Sequence, residues 1–195
     1  MIEFRGAGPA EFTEQLETVI GIYTAAMNPP AEQIAGRKTI MRNHGTYPHF
    51  QCYFAELRDS CPGLPGLETP GLTPKVVGFA YGFRGAPGQW WHDVVLRALT
   101  EKSGREAANA WLGHAFELAE IHVHPDYQGK GIGRAMIRTL CAGRVERSAV
   151  LSTHDQPTAA RHLYGAMGFQ DLLTEFVFPG GYERYAIVGR PLPLP

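Results

Sequence analysis

Two titratable side chains, Glu120 and His122, lie two residues apart in the segment FELAEIHV. The alternation of this segment predicts a β-strand, so both side chains project from the same face. A carboxylate or an imidazole in such a position can accept a proton, and imidazole changes its charge near neutral pH. The pattern therefore favours proton-transfer chemistry. His124 is a further histidine two positions on, but no third ligand follows at a convincing spacing, so we expect no metal.

The segment HPDYQGKGIGRAM, residues 124–136, places three glycines at alternate positions between that strand and a helical pattern. Glycine is costly in a packed element unless the chain turns tightly or a ligand approaches the backbone. A Walker A loop is excluded, because Lys130 is followed by Gly131 and no glycine stands at the required upstream position. A dinucleotide fingerprint also fails, because Arg134 and Met136 stand where its last glycine would be needed. The spacing suits a loop that presents N–H groups at a helix N-terminus, where a pyrophosphate binds.

Around these residues, the apolar spacing predicts the elements that position them. Two N-terminal helices are predicted over 10–27 and 31–43, after a short strand at 2–5. A proline- and glycine-rich connection separates the next two strands, and a helical insertion spans 84–114. The strands are predicted at 49–57, 75–83, 116–123, 148–154, 169–178 and 182–189, with helices at 131–145 and 157–167. We predict a single α/β (α+β) domain, 1–195, whose proline-rich tail is 191–195.

The composition narrows the classes of partner. Lysine and arginine number 18 against 19 aspartates and glutamates, a net charge of −1, so the chain has no basic footprint for nucleic acid. No apolar run is long enough to span a membrane, and the first residues lack the pattern of a signal peptide, so we expect a cytoplasmic protein. The three cysteines, Cys52, Cys61 and Cys141, include no CxxC pair and are predicted to be free thiols.

The strand and loop together resemble a known family. Residues 128–133, QGKGIG, match the Q/R-x-x-G-x-G/A coenzyme A motif of the GCN5-related N-acetyltransferases (GNAT). The segment LYGAMGF, 163–169, resembles the one that follows the fifth strand of that family, and YAIVGRPL is similar to its last strand. The resemblance implies the GNAT fold, a mixed and mostly antiparallel sheet of six to seven strands. That sheet would be splayed between strands 4 and 5 and flanked by about four helices, with the insertion between strands 3 and 4.

The resemblance also implies acetyl-CoA as the acyl donor and the residues that bind it. The pantetheine arm would pair with the backbone of the strand, with the Val123 N–H near the thioester oxygen. The pyrophosphate would lie against the N–H groups of the glycine loop. The implied binding residues are Ile121, His122 and Val123 on the strand and Gln128, Gly129, Lys130, Gly131, Ile132, Gly133 and Arg134 in the loop.

Catalytic roles follow from the same resemblance. Acyl transfer from a thioester to an amine needs a deprotonated amine, a polarised carbonyl and a protonated leaving thiolate. Tyr164 matches the family tyrosine that protonates the thiolate, although its ring could also serve only as core packing. Glu120 is assigned as the general base, unless it merely orients the acceptor or pairs with an arginine. His122 is the alternative base, or a polar residue of the wall.

Several residues bear on the acceptor. Pro157 replaces an asparagine that contacts pantetheine in many members, so that contact is in doubt. Ser152 stands where some members, including those that acetylate ribosomal protein N-termini, carry their base, which argues against a protein N-terminus as acceptor. Trp90 and Trp91 either wall the acceptor or anchor the insertion to the body or to a second subunit. Glu117 could bind a basic acceptor, but its default interpretation is a solvated carboxylate.

The prediction is an acyl-CoA dependent N-acyltransferase that moves an acetyl group to a primary amine of a small molecule. Direct attack in a ternary complex is expected, because no cysteine has an obvious histidine partner. The alternatives are a noncatalytic acyl-CoA binding module, a protein N-acetyltransferase, and a protein-interaction domain that uses the insertion. We expect no nucleic acid and no membrane as partners. Formation of a homodimer is possible.

Overall fold

A computed structural model describes residues 1–58 and 74–194. Within these ranges the chain forms seven strands, seven α-helices and one short 3₁₀ helix. The strands are β1 (Ile2–Ala7), β2 (Gln51–Leu57), β3 (Lys75–Arg84), β4 (Ala115–Val123), β5 (Ser148–His154), β6 (Gln170–Val177) and β7 (Arg184–Pro191). The α-helices are α1 (Pro9–Glu14), α2 (Leu16–Met27), α3 (Ala31–His44), α4 (Trp90–Ser103), α5 (Arg105–Leu112), α6 (Ile132–Cys141) and α7 (Ala159–Ala166), and the 3₁₀ helix is Pro125–Tyr127.

The strands form one sheet in the order β1-β2-β3-β4-β5-β7-β6. β1 pairs antiparallel with β2, and β7 pairs antiparallel with both β5 and β6. β4 and β5 are parallel, and their pairing covers only three residue pairs, from Ala115 with Ser148 to Glu117 with Val150. The predicted fold class, a mixed and mostly antiparallel sheet whose strands 4 and 5 separate early, is confirmed.

The chain divides into two compact units. The first unit comprises Met1–Tyr81 and Glu120–Leu140, and the second comprises Gly82–Ala119 and Cys141–Pro195. Apolar residues of α4, α5 and β4 to β7 form the core of the second unit. In the first unit, α1 packs on the sheet through Phe12, whose ring centre lies 5.0 Å from that of Tyr81.

The described residues form seven α-helices. The prediction was about four helices flanking the sheet and one helical insertion. The predicted first helix is broken at Gln15 into α1 and α2. The insertion holds two helices, because Gly104 between them has a φ of 84°, a conformation that ends a helix and that glycine adopts without strain. The helix after the glycine loop ends at Cys141 and not near 145. The predicted connection between β2 and β3, with Cys61, falls in residues 59–73, outside the described residues.

Close packing of β3 on β4 sets the position of the predicted catalytic strand. A Cβ on Gly78 would lie 3.1 Å from the carbonyl oxygen of His122, so only glycine permits this approach without a shift. The N–H of His124 then donates to the Val77 carbonyl at 2.8 Å. The backbone at the end of β4 is therefore fixed on both sides of residue 123, just before the glycine loop begins.

Candidate active site

Glu120 and His122 meet at the end of β4 in the first unit. His122 Nε2 lies 2.5 Å from Glu120 Oε2, and their side chains are only 11% and 7% exposed. This contact confirms the prediction that the two side chains share a face. A hydrogen bond to an ionised carboxylate is charge-assisted and is stronger than one between neutral groups.

A third group, Arg37 of α3, completes the cluster. Its Nη1 donates to Glu120 Oε1 at 3.1 Å, so each oxygen of the carboxylate accepts from a different side chain. The Arg37 guanidinium lies over the Tyr23 ring at 5.3 Å from the ring centre. Tyr23 in turn contacts the His122 ring edge-on at 5.2 Å, and Phe79 lies 5.4 Å from it on another side. Ring packing therefore fixes the plane of the imidazole.

The charges in this cluster favour an ionised carboxylate. Burial opposes ionisation of Glu120, but the hydrogen bond from His122 and the charge of Arg37 outweigh it and lower the pKa of the carboxyl. Burial also opposes the charge of Arg37, and the Glu120 carboxylate outweighs that effect and raises the guanidinium pKa. Burial lowers the pKa of His44 to about 4, so His44 is neutral at physiological pH, with its Nδ1 3.0 Å from the Tyr81 hydroxyl.

Sequence reasoning left open whether an arginine pairs with Glu120, and it did not identify Arg37. The signal lies in α3, where Arg37, Met41 and His44 recur at four- and three-residue spacing and share one face. Met41 is fully buried, which marks that face as the inward one. A hydropathy pattern misses this face, because two of its three members are polar.

The glycine loop, also in the first unit, runs from β4 into α6. Gly129 and Gly131 have φ values of 73° and 80°, a conformation that L side chains rarely adopt. A Cβ on either glycine would meet no other atom within 4 Å, so the space above the loop is open. Gln128 ties the loop to the strand, because its Nε2 donates to the Val123 carbonyl at 2.9 Å.

The start of α6 supplies the donors that a phosphate group needs. The first intrahelical bond runs from the Ala135 N–H to the Gly131 carbonyl, so the N–H groups of 131–134 precede any intrahelical acceptor. The Lys130 side chain is directed elsewhere, toward the Asp126 carbonyl and the Tyr127 ring. An open turn of glycines at a helix N-terminus fits a pyrophosphate.

Tyr164, the predicted general acid, belongs to α7 in the second unit. It is 8% exposed, and its ring packs edge-on against Phe169 at 5.8 Å between ring centres. Thr158 caps α7 by accepting a hydrogen bond from the Arg161 N–H at 3.1 Å. The tyrosine ring is thus part of the buried core of the protein. This packing is compatible with a catalytic role for its hydroxyl.

The two tryptophans of the insertion differ. Trp91 Nε1 donates to Ser152 Oγ at 3.2 Å and so anchors α4 to β5. Trp90 is 57% exposed and lies against Phe178, with 5.4 Å between ring centres. The anchoring interpretation therefore holds for Trp91.

Glu117 is not a solvated carboxylate, and that interpretation was wrong. The residue is 4% exposed, and its Oε2 has no hydrogen-bond partner among the described residues. Burial raises the pKa of this carboxyl to about 8, so it is protonated at neutral pH. The period of two places Glu117 on the strand face of Ala119, Ile121 and Val123, so an apolar face was the available sign of this burial.

Cys52 and Cys141 are buried free thiols whose pKa values are raised by burial. Over residues 1–58 and 74–194, no group of three or more possible ligands is placed to hold a metal ion. In the same part of the chain, none of the helices combines the length and the apolar character that a membrane span requires.

Comparison with known proteins places these features in context. A family model described as an acetyltransferase (GNAT) domain matches residues 92–171. The GCN5-like protein acetyltransferase Rv2170 of Mycobacterium tuberculosis is 32% identical over 198 residues, which cover 95% of this chain and 96% of that protein. The thialysine N-epsilon-acetyltransferase of Bos taurus is 28% identical over 132 residues, 66% of this chain and 60% of that protein.

Solved structures share the fold. The Salmonella typhimurium protein yncA, solved with its cofactor acetyl-CoA, superposes with a TM-score of 0.58 at 16% identity. The match covers 99% of this chain and 95% of that one. At this level of identity the likeness concerns the fold alone.

Proposed function

Since this chain belongs to the GNAT acetyltransferase family, we propose that it transfers an acetyl group from acetyl-CoA to the primary amine of a small molecule. The observation that carries the proposal is the buried Glu120–His122 pair, with its 2.5 Å contact, on the strand that leads into the glycine loop. Proton-accepting groups thereby lie on the same strand as the backbone proposed to hold the donor.

The first unit has the features that acetyl-CoA would need. The N–H groups of Gly129 to Arg134 would hold the pyrophosphate, and the backbone of Ile121 to Val123 would pair with the pantetheine arm. The open space over Gly129 and Gly131 supports this assignment, because a Cβ there would stand where the phosphates approach. When bound, acetyl-CoA supplies an activated thioester, and the chain must supply the proton transfers.

Direct attack of the amine on the thioester is the favoured route. A covalent route needs a reactive thiolate, whereas the pKa values of Cys52 and Cys141 are raised and both side chains are buried. The Glu120–His122 pair would take the proton of the amine. Tyr164 would return a proton to the departing thiolate, and its role rests on the resemblance of LYGAMGF to the family segment.

A protein amine is the second candidate acceptor. It is favoured by the 32% identity, over nearly the full length of both chains, to a protein named as a protein acetyltransferase. The name of the bovine relative points to an ε-amine at the end of a flexible chain. Such an amine occurs both in free amino acids and in lysine side chains. Ser152 at the fifth strand argues against a protein N-terminus, because a hydroxyl cannot act as a base there.

Release of free coenzyme A tests the proposal. Acetyl-CoA is mixed with thialysine, spermidine or a lysine-containing peptide, and thiol release is followed over time. We expect release with at least one acceptor, and a lower rate for Tyr164→Phe and Glu120→Gln. Tight binding of acetyl-CoA without release on any acceptor would favour the noncatalytic binding module instead.

Binding of acetyl-CoA tests the loop separately. Gly131→Val and Gly133→Val should abolish binding while the protein stays folded, because their side chains would block the approach to the N–H groups. Gly143→Val is the matched control, since Gly143 is an exposed glycine that also combines a positive φ, of 65°, with open space around its Cβ position. Unchanged affinity in both loop variants would refute the loop assignment.

A cytoplasmic location is part of the proposal and is supported by the free thiols of Cys52 and Cys141.

A further inference from the structure

We propose that His122 itself takes the proton of the acceptor amine through Nδ1, and that Glu120 and Arg37 are positioning residues that prepare it. This inference rests on the proposed acetyltransferase function and assigns the base within the Glu120–His122 pair. It also adds a residue, Arg37, that no sequence motif had singled out.

The hydrogen bonds of Glu120 leave it poorly suited to accept another proton. Oε1 accepts from Arg37 at 3.1 Å and Oε2 contacts His122 at 2.5 Å, while the side chain is 7% exposed. A carboxylate with both oxygens engaged is stabilised in its charged form, which reduces its basicity. Each oxygen keeps a second lone pair, but an acceptor amine has little access to it in a side chain that is 7% exposed.

His122 has the opposite arrangement. The ionised carboxylate can only accept, so the nitrogen facing it, Nε2, must carry the hydrogen. In neutral imidazole this leaves Nδ1 with the lone pair that accepts a proton. Among the described residues no hydrogen bond involves Nδ1, and 11% of the side chain is exposed. A carboxylate that fixes the tautomer and stabilises the imidazolium is the established partner of a catalytic histidine.

Arg37 completes this arrangement from a different element. It fixes Glu120 at 3.1 Å from α3, and its guanidinium stacks on Tyr23, whose ring edge contacts His122. Arg37 thus acts on His122 through the carboxylate and through the aromatic ring. Its positive charge also reduces the field of Glu120 at the imidazole.

The titratable groups around His122 come from four elements. Glu120 lies on β4, Arg37 and His44 on α3, Tyr23 on α2 and Tyr81 on β3. His44 is neutral above its pKa of about 4 and contacts the Tyr81 hydroxyl. Within residues 1–58 and 74–194, the charges of this cluster near neutral pH are the Glu120 carboxylate and the Arg37 guanidinium.

The resulting step balances. The amine nitrogen forms a bond to the carbonyl carbon of the thioester as its proton moves to His122 Nδ1. The carbon–sulfur bond breaks with its electron pair on sulfur, and that thiolate takes a proton from the general acid, assigned above to Tyr164. His122 then releases its proton to solvent, and the general acid takes up a proton from solvent, so both groups return to their starting states. The products are the acetylated amine and coenzyme A.

The pH dependence of kcat/KM for thiol release tests the assignment. In Glu120→Gln the rate should fall roughly 10- to 1000-fold, while an acid limb persists and moves to lower pH, because the negative charge that favours imidazolium is gone. In Arg37→Gln the limb should move to higher pH, by about half a unit or more, because the carboxylate is no longer neutralised. Loss of the acid limb in Glu120→Gln would identify Glu120 as the base and overturn the proposal.

Two control variants show whether Arg37 positions the catalytic groups or only stabilises the fold. Arg37→Lys keeps the charge and should restore most of the wild-type profile, whereas Arg42→Gln removes an exposed charge of the same helix and should leave the profile in place. If Arg37→Gln lowers the melting temperature and the rate but leaves the limb where it was, Arg37 is merely structural and its positioning role is overturned.

Two further measurements test the role of His122 without the Glu120 and Arg37 variants. His122→Gln should lower kcat/KM by about 10²–10⁴ with acetyl-CoA binding retained, and a near-wild-type rate would overturn the proposal. In the unmodified protein, ¹⁵N NMR of labelled histidine should show His122 as the Nε2–H tautomer, and the Nδ1–H tautomer would overturn it. If the wild-type protein releases no coenzyme A on any acceptor, the proposed function itself fails and the inference fails with it.

Discussion

Glu117 and Glu120 are three residues apart on β4, and both are at least 93% buried. At neutral pH, however, Glu117 is protonated and neutral whereas Glu120 is ionised. Glu120 accepts from Arg37 and His122, and its pKa is lowered. Glu117 has an oxygen without a hydrogen-bond partner among the described residues, and its pKa is raised to about 8 by burial. Burial alone neutralises a carboxyl, and charged partners reverse the effect.

This difference in hydrogen-bond partners distinguishes Glu117, a buried carboxyl that the fold tolerates, from Glu120, which is part of the candidate active site. A neutral Glu117 has no charge with which to hold a cationic partner. The ionised Glu120 fixes a histidine and an arginine in defined geometry. The two groups also respond to pH with opposite sign. The contribution of Glu117 to the free energy of unfolding is lost as pH rises, and that of Glu120 is lost as pH falls.

The largest expected effect concerns Glu117 and pH. The folded protein keeps its proton up to about pH 8, while the unfolded chain releases it near 4.5, so unfolding liberates a proton between these values. The free energy of unfolding should fall as pH rises through that window, by up to about 1.4 kcal/mol per pH unit. Urea denaturation from pH 5 to pH 8 measures this slope.

Glu117→Leu should remove most of this slope and stabilise the protein at pH 8. Glu14→Leu is the matched control at an exposed glutamate and should retain it. An unchanged slope in Glu117→Leu would show that this carboxyl ionises freely in the folded state.

The same substitution at Glu120 should act in the other direction. Glu120→Leu leaves Arg37 and His122 without their carboxylate, and we expect the free energy of unfolding at pH 7 to fall by about 1–3 kcal/mol. The 39% exposure of the Arg37 side chain lets water reach the guanidinium and places the cost toward the low end. Denaturation of Glu117→Leu and Glu120→Leu under the same conditions gives the comparison, and effects of equal sign would refute it.

The smallest effect should come from an exposed ion pair in the second unit. Arg161 donates to both oxygens of Asp171, at 2.5 and 2.8 Å, but the two side chains are 23% and 44% exposed. Asp171→Asn should cost only about 0.2–1 kcal/mol, and added salt should reduce the difference from wild type. A loss of about 2 kcal/mol or more would mean that solvent exposure does not distinguish this pair from the Glu120 cluster.

Much of the fold and of the donor loop follows from local sequence rules. The period of two in a strand is imposed by the backbone, so it predicted that Glu120 and His122 share a face. Gly129 and Gly131 were predicted to expose backbone, and their positive φ values and open surroundings confirm an unshielded turn. Such features depend on residues that are close in sequence.

The rest depends on contacts between distant residues. Arg37 and Glu120 are 83 positions apart, and the inward face of α3 is too polar for a hydropathy pattern to reveal it. The break at Gln15 was missed because apolar spacing continues through it. Burial of Glu117 was missed because carboxylates are seldom buried, although the strand period places Glu117 on the apolar face of Ala119, Ile121 and Val123.

The charge state of Glu120 decides whether His122 is held as a proton acceptor. Side-chain carboxyl ¹³C NMR of protein labelled at glutamate follows Glu117 and Glu120 in one titration. We expect the Glu120 resonance to titrate below the ordinary value of about 4.3 and to be fully ionised at pH 7, with Glu117 titrating near 8. A Glu120 carboxyl that is still protonated at pH 7 would contradict the assignment of His122 as the base.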